Sequence, residues 1–557
     1  MKYSKRVVYC LLGFIVTVNI IYRYPAIYIH ENGFDAFLIH NLADSISYYG
    51  YAKWVLNPLS YFGMYAFSYP SAMPFLYSEF SQVTSISIEL CVLITGMIFG
   101  IIGALFAYLA AKEILDSDIF AFFTSLTFSI APFLLNLTTW EGSTKGFVVT
   151  LLPFFIFLLL KHLKTSNTKY LVIALIVLIL MSSIHRIGYL AIFIFLAYLF
   201  TVPIHTFTRI IITPDLRRIK LKRFLSAMSV IGAFTVAFAL LFITPGFLGS
   251  ADITQQYASG RFMSGRGIFT ILVNLGITYA GKTGILIPLL FLGLFAFAWQ
   301  ERRSVQQKFI IIATIFLIPF LPLREYMTAF FVSIFSIIIG FSIYFIFRII
   351  KKRRKTAIAV FLILTVSSMG FSWYMKDYWH NSYWYNEMKE ETYGTAMYTK
   401  NTLTRDDMFI ANKGYISARV TAISGVISLP LGGASANSYN AQQMIYDNNF
   451  DIDRNSLDIK PLQLNQLGYA TNEIFVFKDP GRGYDAELSW ATILDHDCNS
   501  PVGKSVQMRY NIHYALETHD LDGRYLFWGQ YYSAFLVSVH EQRYKIYDNS
   551  EEAMWYV

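Results

Sequence analysis

Apolar runs long enough to cross a hydrocarbon core of roughly 30 Å begin near residues 7, 88, 118, 147, 170, 187, 225, 283, 309, 327 and 357. No other feature constrains the chain so tightly, because backbone that crosses lipid has no water to bond and must satisfy its own polar groups. Composition agrees: 55% of the 557 residues are hydrophobic and only 15% are charged, and the mean hydropathy is +0.45. A water-soluble chain of this length could not cover so much apolar surface with polar groups. The expectation is a polytopic α-helical membrane protein, with about eleven transmembrane helices in residues 1–371 and a soluble domain in residues 372–557.

The formal net charge of +9 is unevenly spread. Residues 1–371 carry 30 Lys and Arg against 13 Asp and Glu, whereas residues 372–557 carry 15 against 23. The excess sits beside apolar runs, where it orients a membrane protein. The acidic tail leaves no footprint for nucleic acid, so no nucleic-acid partner is expected. Lys2, Lys5 and Arg6 precede the first run without a small-residue cleavage site, which predicts an uncleaved anchor with a cytoplasmic N-terminus. On that basis the inner loops hold the basic clusters Lys161–Lys169, Arg209–Arg223, Arg302–Lys308 and Arg348–Lys355, while the net acidic Lys112–Asp118 is an exception. Parity depends on Ile268–Ala280, a short apolar stretch broken by Asn274 and Gly276. Read as an interfacial or re-entrant helix, it leaves the C-terminal domain extracytoplasmic. Three cysteines are too few for a disulfide framework.

The tail alternates strand-like runs with turns: Met408–Ala411, Val426–Leu429, Glu473–Phe477, Ala534–Val539 and Tyr544–Tyr547, with a helix near Ser417–Ser424. An α/β or α+β domain follows. The end of the chain, from Tyr544 through Asp548 and Asn549 to Ala553–Val557, predicts a closing hairpin.

Residues 24–87 form a first outer loop far longer than a helix connection needs. It holds a helix-like segment starting near Asp35, a fitting N-cap. Leu38, Leu42 and Ile46 are spaced to keep that helix on the membrane surface, and His40 and Asp44 lie one turn apart. Polar groups recur at other outer helix ends: Glu141 and Lys145 in a Gly/Ser turn suited to an anion, His185 with Arg186, Arg261 with Arg266, and Arg324 with Glu325.

A short first helix, a long outer loop with an early acidic residue, about ten further helices and an outer C-terminal domain resemble the GT-C glycosyltransferases, the superfamily of oligosaccharyltransferase-like membrane enzymes. The resemblance covers residues 1–371 in architecture. It implies transfer of a sugar from a polyprenyl-phosphate-linked donor to a glycan, lipid or protein acceptor on the extracytoplasmic face of the cell membrane. It makes Asp35 the general base or metal ligand, with Asp44 and His40 as further catalytic candidates, and Arg324 the residue that holds the carrier phosphate. His185, Arg186 and Lys145 are further donor-phosphate candidates. Glu141, Arg261, Arg266 and Glu325 are candidates for substrate contact. A divalent cation, Mg or Mn, is the cofactor class the resemblance allows, with no metal ligand set identified.

The chemistry fits those residue types. A hydroxyl acceptor needs a carboxylate to take its proton, and the departing phosphate needs cations. Two departures bear on the reaction. Asp35 is followed by Ala36 and Phe37 rather than by a second acid, and no Trp-Trp-Asp-Tyr-Gly signature occurs, Tyr378-Trp-His-Asn-Ser-Tyr-Trp being no substitute. Transfer of a monosaccharide from a polyprenyl monophosphate is therefore expected rather than N-linked oligosaccharide transfer. The Asp-x-Asp triplets at 451–453, 495–497 and 520–522 are short patterns common in acidic loops. The competing classes are a transporter or lipid flippase, which would bury charge in broken helices near mid-membrane, and a non-catalytic envelope component.

Overall fold

The computed structural model describes residues 3–26, 29–51, 70–142, 144–212, 268–299, 303–317, 325–350, 353–382, 388–411, 414–429, 496–518 and 534–557. In chain order the helices are α1 (Lys5–Arg23), α2 (Phe34–Tyr49), α3 (Ala72–Thr84), α4 (Ile88–Ile114), α5 (Asp118–Ser129), α6 (Pro132–Asn136), α7 (Lys145–Thr165), α8 (Thr168–Ile184) and α9 (Ile192–Ile212). Then come α10 (Ile268–Thr283), α11 (Leu289–Trp299), α12 (Val305–Leu317), α13 (Glu325–Ile350), α14 (Arg354–Ser382), α15 (Glu390–Thr402), α16 (Gly414–Ser424), α17 (Pro501–Tyr510) and α18 (Ala534–Gln542). The described residues fall into two compact units. One takes those within Met1–Ile27, Leu93–Phe242 and Ala251–Trp384, and the other those within Tyr28–Val92 and Tyr385–Val557.

The first unit is helical. Five described helices are long and apolar enough to cross a membrane: Lys5–Arg23, Ile88–Ile114, Lys145–Thr165, Ala329–Ile350 and Lys355–Trp379. Shorter apolar helices lie at Asp118–Ser129, Thr168–Ile184, Ile187–Val202 and Val305–Leu317. The apolar run beginning near residue 225 lies outside the described residues, and Ile268–Ala280 lies within helix α10. Small residues let these helices approach closely, since lipid supplies little hydrophobic drive between them. A Cβ on Gly103 would lie 2.9 Å from the Thr150 carbonyl oxygen. Phe341 extends α13 packing by stacking on Phe297, centroids 3.9 Å apart, and meets Phe120 edge-on.

Ion pairs gather the loops at one end of this unit. Glu113 accepts from Lys161 at 2.7 Å and Lys164 at 2.9 Å. Asp118 accepts from Lys112 at 2.8 Å and from the Tyr3 amide at 2.7 Å. The acids of Lys112–Asp118 are thus neutralised by lysines at the same end, so that stretch sits beside basic groups despite its sign.

The second unit holds a five-stranded sheet in the order β2-β1-β3-β5-β4, from β1 (Met408–Ala411), β2 (Ile427–Leu429), β3 (Ile512–Thr518), β4 (Tyr544–Asp548) and β5 (Glu552–Tyr556). Strand β1 runs parallel to β2 and β3, and β5 is antiparallel to β3 and β4. All four residues of β1 are buried because helices cover both faces, which is the environment of a parallel sheet. Met408 and Ile410 join Val506, Phe535 and Val539 in one core layer. Phe409 and Ala411 join Ala396, Ile416 and Val420 in the other.

The tail readings meet this sheet unevenly. Met408–Ala411 is β1, a helix covers Ser417–Ser424, and β4 and β5 form the hairpin expected at the end. Ala534–Val539 is corrected: it opens helix α18, with Phe535 and Val539, four residues apart, both buried. A short apolar run has no period long enough to separate a buried helix from a strand. The central strand β3 had no counterpart among the sequence-derived strands. Glu473–Phe477 lies outside the described residues.

Candidate functional site

Helix α2 begins two residues earlier than an Asp35 N-cap would place it. Its N-cap is Gly33 at φ +98°, a conformation that favours glycine, so Asp35 is a first-turn residue rather than the cap. An acid there is favoured by the helix dipole. The Asp35 side chain is outside the described set. Leu42 and Ile46, expected to face lipid, are buried at 4% and 5% exposure inside the protein. Leu38 packs against a cluster of Phe37, Met388, Ala418 and Ala422. The apolar stripe of α2 is therefore spent on protein, a partner that a sequence pattern cannot distinguish from membrane.

Beside the start of α2 lies a set of charged groups of which the sequence reading singled out only His40. Fully buried Glu31 accepts from His40 Nδ1 at 2.6 Å. The Glu89 Oε1 atom accepts from both His30 Nδ1 and the Glu31 amide, each at 3.2 Å. His30 stacks on Tyr393, centroids 3.9 Å apart, and its Nε2 lies 3.7 Å from Glu390. Burial pushes the His30 pKa down, but the hydrogen bond and charge of Glu89, with Glu390, outweigh it and raise the value. His40 behaves likewise: burial opposes its charge, and Glu31 more than restores it. The adjacent His30-Glu31 before a glycine was the available signal, but its partners at 89 and 390 are remote in sequence.

Asp44 is committed elsewhere. Its carboxylate accepts from Arg405 Nη1 at 2.7 Å and Nη2 at 3.0 Å. His40 and Asp44 share a helix, but each is held by a different partner.

In the helical unit, Arg23 is fully buried and donates to Asn19 at 2.7 Å, Thr138 at 2.9 Å and the Ser129 carbonyl at 3.2 Å. Lys376 donates to the carbonyls of Tyr22 at 2.8 Å and Tyr24 at 3.1 Å, the open C-terminal end of α1. All these acceptors are neutral. Polar Asn19 and Arg23, one turn apart in an apolar helix, are the sequence signal for this lock. His185 is buried and accepts from the Ile187 amide at 3.0 Å, capping the turn Arg186–Ala191. Glu141 and half-buried Lys145 flank the start of α7. Arg261, Arg266 and Arg324 lie outside the described residues, as do the side chains of Arg186 and Glu325. The triplets at 451–453 and 520–522 and Asp495 do too, whereas Asp497 accepts from the Asn499 amide at 2.7 Å. Among the described residues no group of three or more His, Cys, Asp or Glu is arranged to hold a metal ion.

The chain, with several helices apolar enough to cross a membrane, shares its fold with solved glycosyltransferases of the GT-C type. The chain is similar to the Archaeoglobus fulgidus oligosaccharyltransferase tethered with an acceptor peptide, with a TM-score of 0.58 and 12% identity over 92% of this chain and 69% of that one. It is also similar to the same organism's AglB in complex with an inhibitory peptide and a dolichol-phosphate (TM-score 0.57, 12% identity, covering 92% of this chain and 69% of that one). The mycobacterial arabinofuranosyltransferase AftD matches with a TM-score of 0.53 and 10% identity, over 100% of this chain and 40% of its own. No protein-family model matches the sequence, and no curated protein matches it.

Proposed function

We propose that this protein is a membrane-embedded glycosyltransferase that moves a single sugar from a polyprenyl-phosphate carrier to a glycan, lipid or protein acceptor on the extracytoplasmic face, with the N-terminus cytoplasmic. The observation that carries the reading is a fold shared over 92% of the chain with an oligosaccharyltransferase solved with dolichol-phosphate. The missing Trp-Trp-Asp-Tyr-Gly signature favours a monosaccharide over an N-linked oligosaccharide.

In the proposed step Asp35 takes the proton of the acceptor hydroxyl as its oxygen bonds to the sugar's anomeric carbon. The bond from that carbon to the phosphate oxygen breaks, and its electron pair leaves with the carrier phosphate. Arg324 stabilises the growing phosphate charge, assisted by His185, Arg186 and Lys145. Glu141, Arg261, Arg266 and Glu325 contact substrate. A divalent cation, Mg or Mn, would add to the stabilisation of the departing phosphate.

The test is transfer of a labelled sugar from a polyprenyl-phosphate-linked donor in membranes containing the protein. Asp35→Asn is expected to lower the rate by about 10²–10⁴-fold without loss of folded protein. Full activity in that variant removes Asp35 from the mechanism.

A further inference from the structure

Four residues of α2, Phe37, Asn41, Asp44 and Tyr48, recur at helical spacing and so share one face. Each meets the C-terminal segment of the chain. Phe37 packs on Met388, Ala418 and Ala422, with the Arg419 guanidinium 5.5 Å from its ring centroid. Asn41 Nδ2 donates to the Ala418 carbonyl at 3.3 Å. Asp44 receives both arms of the Arg405 fork at 2.7 and 3.0 Å. Arg405 also lies over the Tyr48 ring at 4.3 Å.

The fork is held from behind as well. Gly425 has φ +73°, and a Cβ there would lie 2.5 Å from Arg405 Cζ. Glycine thus serves both the backbone conformation and the space that the guanidinium fills. The pair is partly open, with Arg405 30% and Asp44 23% exposed. A simple surface ion pair at such a place adds little. Bidentate geometry plus ring stacking fixes orientation in a way that a lysine cannot reproduce.

We propose that Arg405 is a positioning residue: clamped by Asp44, Tyr48 and Gly425, it sets the placement of α2 and, through that helix, of Asp35. The proposal rests on the assignment of Asp35 as base. Asp44 is then no proton acceptor in the reaction, because both its oxygens are engaged by the clamp.

The test uses the full chain in lipid nanodiscs, with amide exchange of α2 and transfer from a polyprenyl-monophosphate-linked sugar as readouts. Arg405→Lys keeps the charge and loses the fork. It is expected to speed exchange in α2 about tenfold while leaving β3 unchanged. It is also expected to lower kcat while donor KM stays constant, as misplacement of a catalytic group predicts. Gly425→Ala, which crowds Arg405, should reproduce both effects. Unchanged α2 exchange in both Arg405→Lys and Gly425→Ala overturns the clamp. So does faster exchange with unaltered kcat, provided Asp35→Asn is inactive. An active Asp35→Asn variant instead overturns the reading on which the proposal rests.

Discussion

Glu31 and His40 form a buried pair, with Glu31 Oε2 2.6 Å from His40 Nδ1, that joins the entry of the first-loop helix to its second turn. Glu31 has no exposed surface and His40 only 5%, so each charge depends on the other. Replacing one partner leaves a buried charge without compensation. His40→Ala is expected to destabilise the protein by about 3–5 kcal/mol. Glu31→Gln with His40→Gln together should cost less than the sum of the single changes. Denaturant titration in detergent, read as a double-mutant cycle, checks both statements.

His30 links three segments of the second unit through Glu89, Glu390 and the face of Tyr393. Its pKa is raised in the folded protein above an unfolded value of about 6.5. A raised pKa means that the folded state holds the proton more tightly. The stabilisation is therefore complete below the unfolded value and is lost as pH rises through the folded one. Thermal stability of the wild type should fall across that alkaline-going window. His30→Gln should flatten this part of the profile, and an identical profile in the variant would refute the assignment.

Gly100 makes room for the Arg23 guanidinium, which a Cβ at that position would strike. Gly100→Ala should displace Arg23 from Thr138 and the Ser129 carbonyl, leaving buried polar groups unpaired. The expected cost is about 1–3 kcal/mol for each group orphaned. A lowered melting temperature in detergent, with little effect from Gly13→Ala, where the added Cβ meets nothing within 4 Å, is the check.

Phe535 is fully buried in α18 and packs in the core layer with Met408, Ile410 and Val539. Phe535→Ala should destabilise the sheet unit by about 3–5 kcal/mol through the cavity it opens. Exchange at β3 amides would report the loss.

Much of the fold was legible in the sequence because the signal was local. Apolar length marked the helices, since lipid demands it at every position of a crossing segment. The final hairpin was marked by Asp548 and Asn549 between β-rich flanks, and β1 by its β-rich run Met408–Ala411. Where the signal was only a short apolar run, as at Ala534–Val539, it left helix and strand undivided. Of the candidate site, the helix bearing Asp35 was visible, but the partners of its polar residues were not.

By itself the sequence determined which segments are apolar enough to prefer lipid and where charge and strand-like runs concentrate along the chain. Tertiary structure decided what the polar residues do. Arg405 reaches Asp44 across 361 positions of chain, and Lys376 closes the end of α1 from 354 positions away. Solvent preference is written into each segment's own composition, whereas a hydrogen-bonded pair exists only once two remote surfaces have met. That is why Leu42 and Ile46 read as a membrane-facing stripe and are instead buried by protein.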